Sequence, residues 1–260
     1  MEIEFRKAYG LTQLVYVMLL LCSSCTSLAQ QLPEGLELPA ITDNSTIVKH
    51  AGYTASFNST LMIPNWVAYI LTEDELSGKV RRPGNSPFQP DPDYKGRQPE
   101  RRDYSNTGWD KGHLAPCADM KWSEQAMIES FYFTNVCPQD HDFNGGDWEQ
   151  LEDLARRIAR KKGALCIICG PIVSENAYGK LGQNKVTIPD SFFKAFLYQD
   201  SDGYHSIAYL MPNKQTGQSL SKYALSVNDL EALLGLDLFS CLDSSVQEVV
   251  ESQTVLSDWR

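Results

Sequence analysis

The chain has 260 residues, 42 % of them hydrophobic, which is enough apolar material for one sizeable core and makes a single domain after processing the simplest count. Its formal net charge of -10 excludes binding a polyanion through a broad basic face. Any contact with phosphate must rest on a local cation cluster plus a bound metal ion.

Arg6 and Lys7 precede the apolar run Leu14–Leu21, which is too short to span a bilayer comfortably, and Ser27-Leu28-Ala29 offers small residues where a signal peptidase inspects the chain. Residues 1–29 therefore read as a cleaved export signal, with a mature chain that starts at Gln30, is secreted or periplasmic, and has no stable membrane span. Lipid anchoring at Cys25 is the second option, but Cys22 stands where the lipobox pattern usually has an aliphatic residue. Of seven cysteines, Cys117, Cys137, Cys166, Cys169 and Cys241 remain after cleavage, and an odd number leaves at least one thiol unpaired.

Residues 30–47 read as an irregular lead-in, 48–245 as the domain, and 246–260 as a C-terminal tail. Tyr53–Phe57 alternates as a strand and Trp66–Leu71 reads as a second. Residues 77–108 form a long loop rich in Pro, Gly, Asp and Arg, and loops of that length are functional or disordered. Lys79, Arg81, Arg82, Arg97, Arg101, Arg102 and Lys111 make it the candidate cation cluster, with a solvated loop of scattered charge as the equal alternative.

Asn144–Lys162 has helical periodicity through Trp148, Leu151, Ala155, Ile158 and Ala159, with Asp147 and Gln150 as a capping box and Gly163 as the stop. Ala164–Cys169 follows as a buried strand ended by Gly170-Pro171, then strands at Phe192–Tyr198 and Ser206–Met211, then a short helix Val227–Leu234 closed by Gly235. The irregular interleaving predicts an α+β fold: a central, mostly antiparallel sheet flanked by helices.

Phosphodiester hydrolysis needs a base, a cation against the phosphate charge and a stabiliser for the leaving oxygen. His113 sits in the turn-forming Asp110-Lys111-Gly112-His113 and titrates in the range of a general base. Asn144, Trp148, Glu152 and Arg156 recur every four residues if the helix starts that early, putting an amide oxygen, a carboxylate and a guanidinium toward one side. From spacing alone, Glu152 and Arg156 are equally a helix-surface ion pair, and a lone histidine beside glycine is more often structural.

Ordered motifs shift that balance. Asp110-Lys111-Gly112-His113-Leu114-Ala115-Pro116, Ala118-Asp119-Met120, Thr134-Asn135-Val136-Cys137-Pro138-Gln139 and Asn144-Gly145-Gly146-Asp147-Trp148 with Leu151-Glu152 resemble the DNA/RNA non-specific endonuclease family, the ββα-metal group. Ile188–Lys194, Leu210–Asn213 and Val227–Phe239 extend the resemblance over roughly residues 50–242. It implies a ββα-metal motif, DNA and RNA substrates, Mg²⁺ or Mn²⁺, and 5′-phosphate products. By the same resemblance His113 is the general base, Asn144 the direct metal ligand, and Glu152 the holder of a metal-bound water. Arg156 then stabilises the transition state, and Arg82 is the upstream arginine. The sequence departs from the family spacing after Arg82, which leaves Arg81 open, and Lys111 replaces the usual arginine, losing a bidentate fork. Asp110 reads as a brace for the turn.

Cys166 and Cys169 read as buried structural residues pointing to opposite faces of a strand. Cys117 and Cys137 are bridged or free, His141 reads as a solvent-facing loop residue, and His50 and His205 have no partner pattern around them. Rival readings are a zinc-dependent HNH-like phosphodiesterase, which needs more imidazole or thiolate ligands than this site offers, and a silent nucleic-acid- or partner-binding module of the same fold. A homodimer stays open.

Overall fold

Alternate residues of the central strands enter two different apolar layers, as β6 (Ala164–Ile172) shows: Leu165, Ile167 and Cys169 face one core and Cys166 and Ile168 the other. The computed structural model describes residues 32–33, 35–41, 46–84, 87–174 and 178–259; residues 1–29, read above as an export signal, and Cys25 with them, lie outside the described residues. Around β6 run β1 (Ile47–Lys49), β2 (Thr54–Asn58), β3 (Ile63–Thr72), β9 (Ser191–Asp200), β10 (Gly203–Pro212) and β11 (Ala224–Leu225). With β6 they form one antiparallel sheet in the order β1-β2-β3-β6-β9-β10-β11, while β7 (Gly179–Leu181) and β8 (Val186–Ile188) pair apart from it. This is the α+β fold expected. Gly170-Pro171 does not end β6: the strand pairs with β9 through Ile172, because its antiparallel partner continues beside it.

One face of the sheet carries the elements that build the site. A separate two-stranded ribbon pairs β4 (Asp110–His113) with β5 (Val136–Gln139), His113 opposite Val136. A helical segment follows at once: a turn His141–Phe143, a π-helical stretch Asn144–Trp148, and the α-helix α2 (Glu149–Lys162). Ribbon plus helix is the ββα unit. The short helix α1 (Glu124–Glu129), capped by the Ser123 side chain, lies before the second ribbon strand and was not legible in the sequence.

Asp147 does not cap the helix. Asp140 does, its carboxylate accepting from the Phe143 N–H, so the helix starts earlier than the sequence suggests. Asp147 is buried instead and accepts from Gln215 Nε2, the Thr216 N–H and Tyr223 Oη, tying the segment after β10 to the helix start. The helix ends at Gly163, whose positive φ of 88° suits glycine.

The other face is covered by α3 (Val227–Leu234) and α4 (Ser244–Val250), with Leu36 from the N-terminal segment. The chain after 245 does not trail off: Trp259 is buried on the first face against Phe196 and Tyr198, ring centroids 5.9 and 5.0 Å away. The long loop is ordered by two buried aspartates. Asp91 accepts from His50 and Thr134, and Asp103 accepts from the Asn184 N–H and Nδ2.

Candidate active site

The two strands of the ribbon approach closely because Gly112 has no side chain; a Cβ there would run into the buried Gln139 side chain. That contact fixes His113 at the end of β4. Its carbonyl accepts from Trp148 Nε1 at 3.2 Å, so the strand is pinned to the helix. The next carbonyl, Leu114, accepts from Lys194 Nζ at 3.2 Å and Cys169 Sγ at 3.3 Å, pinning the strand end to the sheet below.

The His113 ring lies between Phe88 and Phe131, with centroids 5.1 and 5.0 Å away. Its Nε2 is buried with no hydrogen-bond partner among the described residues. Burial, helped by the positive charge of Arg82, pushes its pKa down to about 3, so the imidazole is neutral at physiological pH. Arg82 places its guanidinium 5.2 Å from the Phe131 ring centroid, on the aromatic that packs against His113. Arg81 points elsewhere, into a surface cavity beside Trp122. Lys111 lies over Tyr104 and Phe88, its Nζ 5.3 and 5.7 Å from their centroids, and burial lowers its pKa.

Asn144 opens the π-helical stretch. Its Nδ2 donates to Asp110 Oδ2 at 3.0 Å, and the same oxygen meets His141 Nδ1 at 3.0 Å. Asp110 thus holds the Asn144 amide, rather than bracing the turn alone, and leaves the amide oxygen without a partner among the described residues. His141, 79 % exposed, belongs to the first helical turn rather than to a loop, and Asp110 raises its pKa.

Two turns along, Glu152 faces inward, and burial pushes its pKa up to about 8 against the pull of Lys194 and Arg156. Arg156 donates to Asp119 Oδ1 at 2.9 Å and to Asp153 Oδ1 at 2.7 Å. Asp119 is fully buried and also accepts from Tyr69 Oη at 3.0 Å. The helix therefore does not carry a simple Glu152–Arg156 surface pair: Arg156 is committed to a buried carboxylate 37 residues away in sequence.

Lys194 completes the arrangement. It is fully buried on β9, with Nζ 4.3 Å from the Trp148 ring centroid, and it bonds the strand after His113. Neither Asp119 nor Lys194 was identified from sequence; the motifs that contain them were visible, but their convergence depends on the sheet.

Other sequence-stranded histidines also find partners. His50 bonds Asp91 at 2.8 Å, and His205 sits between Asp200 and Asp258 at 3.1 and 3.2 Å. His50, Asp91 and Asp93 bring ligand atoms within 4.8 Å, yet Asp91 is already saturated by His50, Thr134 and the Asp93 N–H, so this cluster anchors the loop. Cys117 and Cys137 are both free thiols, and Cys166 and Cys169 face opposite cores as expected.

The family description "DNA/RNA non-specific endonuclease" matches residues 37–245. "Nuclease EXOG, mitochondrial" of Danio rerio is 32 % identical over 212 residues, covering 74 % of this chain and 60 % of that protein. "Nuclease" of a Nostoc species is 32 % identical over 223 residues, covering 81 % of this chain and 79 % of its own. The chain spans about 60 % of the length of the EXOG nucleases it matches. A crystal structure of an EndoG/EndoGI complex shares the fold with a TM-score of 0.71 at 23 % identity, over 80 % of this chain and 91 % of that one. With the ββα unit in place and the match running through nearly the whole described chain, this protein belongs to the DNA/RNA non-specific endonuclease family.

Proposed function

We propose that this chain is a metal-dependent, sequence-non-specific endonuclease that cuts DNA and RNA to 5′-phosphate ends, with His113 as general base. The observation that carries the reading is the His113 Nε2: buried, without a partner and neutral, it is an acceptor waiting for a proton.

The donor set fits a hard divalent cation. The Asn144 amide oxygen is left open by Asp110, and Glu152 is a carboxylate whose pKa burial raises even against the pull of Lys194 and Arg156. Both are oxygen donors, which suits Mg²⁺ or Mn²⁺ and not zinc, whose catalytic sites ask for imidazole or thiolate ligands. When bound, the ion would neutralise charge on the scissile phosphate.

The chain's own residues supply the rest. His113 takes a proton from water as the oxygen–phosphorus bond forms, and the phosphorus–O3′ bond breaks to leave a 5′-phosphate and a 3′-oxyanion that takes its proton from solvent. Arg156 spends two N–H groups on Asp119 and Asp153, which fixes its plane and leaves its other donors for phosphate oxygens. Arg82 adds positive charge beside His113 and keeps the imidazole deprotonated. Lys111, held over Tyr104 and Phe88, contributes a point charge for substrate.

Digestion of plasmid and of RNA, in Mg²⁺ and in EDTA, with analysis of the new ends, tests this. Cleavage of both polymers in Mg²⁺ alone, with 5′-phosphate ends, is expected. Cleavage that persists in EDTA, or 3′-phosphate ends, contradicts it. Export after cleavage at Ala29 belongs to the same reading, although several relatives carry mitochondrial names; mass spectrometry of the mature N-terminus decides it.

A further inference from the structure

An open cavity of about 690 Å³ lies on the surface between the segment after β3 and the start of α1. Three cations rim it, Lys79, Arg81 and Lys121, all exposed, against a single lining carboxylate, Glu124. For a chain of net charge -10 that is a local reversal of sign. None of the three rim cations forms an ion pair with a carboxylate among the described residues, unlike Arg102, Arg156 and Lys162.

An aromatic side chain stands among these charges. Trp122 is 36 % exposed and Ile128 45 % exposed, while Met127 beneath them belongs to the core. The walls are held in register: the Val80 N–H donates to the Lys121 carbonyl at 2.9 Å, and Gly78 packs so closely on the Lys121–Trp122 backbone that any side chain there would collide. The chain itself leads from the cavity to the site. Arg81 is followed by Arg82, whose guanidinium lies on Phe131, and Phe131 packs on His113.

Exposed tryptophan flanked by unpaired cations is the chemistry that grips a single strand: every base offers a π-face for stacking, and the neighbouring phosphates meet the cations. A duplex does not offer that face, because its bases are stacked on one another. We propose that this cavity is a subsite for an unpaired nucleotide of the substrate strand, its base stacked on Trp122 and its flanking phosphates held by Lys79, Arg81 and Lys121. The proposal rests on the nuclease reading above and extends it from the scissile phosphate to the strand beyond.

The test compares single-stranded oligothymidylates, a trimer and a dodecamer, with wild type, Trp122→Leu and Trp122→Tyr of the full chain. Leucine keeps the apolar bulk and removes the π-face; tyrosine keeps the face. Trp122→Leu is expected to raise KM for the dodecamer about five- to a hundredfold, far more than for the trimer, with little change in kcat. Trp122→Tyr recovers most of the loss. Equal effects on both lengths, an unmoved dodecamer KM, or a tyrosine variant no better than leucine overturns the proposal.

Binding of labelled dodecamer in EDTA separates the subsite from the chemistry. If the wild type cleaves nothing but the leucine variant still binds at least fivefold more weakly, the nuclease reading fails and the subsite stands; undiminished binding removes the subsite. The charge half is read by salt: Lys121→Gln should flatten the log–log salt slope of binding by about 0.7, while the Trp122 variants keep the wild-type slope. An unaltered slope in Lys121→Gln contradicts the phosphate contact.

Discussion

With its pKa pushed down to about 3, His113 stays uncharged until strongly acidic pH, and Glu152, pushed up to about 8, holds its proton through neutrality in the absence of a cation. The two have opposite consequences for stability. Unfolded histidine takes up a proton near its ordinary value of 6.5, whereas folded His113 does not, so its contribution is present above 6.5 and is lost as pH falls toward 3. Folded Glu152 keeps a proton that the unfolded chain releases near 4.5, so its contribution is present below 4.5 and is lost as pH rises toward 8. Between pH 4.5 and 6.5 the two slopes oppose each other, and above 6.5 the fall due to Glu152 remains, so urea midpoints measured in EDTA should decline from pH 6.5 to 8 in the wild type and decline less steeply in Glu152→Gln; parallel curves would place Glu152 in a different environment. Asp110, by holding the Asn144 amide nitrogen, sets which atom is presented to a cation. Asp110→Ala is expected to raise the Mg²⁺ concentration for half-maximal cleavage about ten- to a hundredfold, with kcat at saturating metal changed much less. At this scale the candidates His113, Asn144, Glu152 and Arg156 were legible in the sequence as members of local motifs, which the structure places on one ribbon and the helical segment that follows it. It did not carry Asp119 and Lys194 as partners: Arg156 reaches one 37 residues away and Leu114 meets the other 80 residues away. Nor did it decide between Arg81 and Arg82, which adjacent positions send to different surfaces.

Among the elements, the ribbon is the one with least tolerance. Gly112→Ala must displace the buried Gln139 side chain, which has nowhere to go between β5 and the core. We expect a cost of about 1–3 kcal/mol in stability and a larger fall in kcat than in binding, because the displaced strand end bears His113. Denaturant titration beside steady-state kinetics would show it; full activity in the alanine variant would mean the ribbon is looser than the packing implies. The periodic helix and the five main strands were legible because each buries an amphipathic face or two apolar ones. The helix start differs from the sequence reading because Asp140 caps it, while Asp147 is bound by the segment that brings Thr216 and Tyr223 to it. The π-helical stretch over Gly145-Gly146 leaves no periodic signal of its own.

Across the whole molecule, two cores on either side of one sheet divide the labour: the first face holds the ribbon and long helix, the second is scaffold. The C-terminal chain joins them, passing from α4 on the second face to Trp259 on the first. Trp259→Ala removes a buried aromatic and should cost about 3–5 kcal/mol in unfolding free energy while leaving kcat/KM on plasmid near wild type at low temperature. A loss of activity without loss of stability would show that this end serves the site directly. The antiparallel α+β class was readable from composition and pattern, whereas the β3–β6 pairing was not, because it joins segments about a hundred residues apart. The account stands most directly on one measurement: kcat for plasmid cleavage at saturating Mg²⁺ by His113→Ala, with its melting temperature recorded alongside. A fall of about a hundred- to ten-thousandfold in a variant that remains folded is predicted, and cleavage within a few fold of wild type would remove His113 as the base.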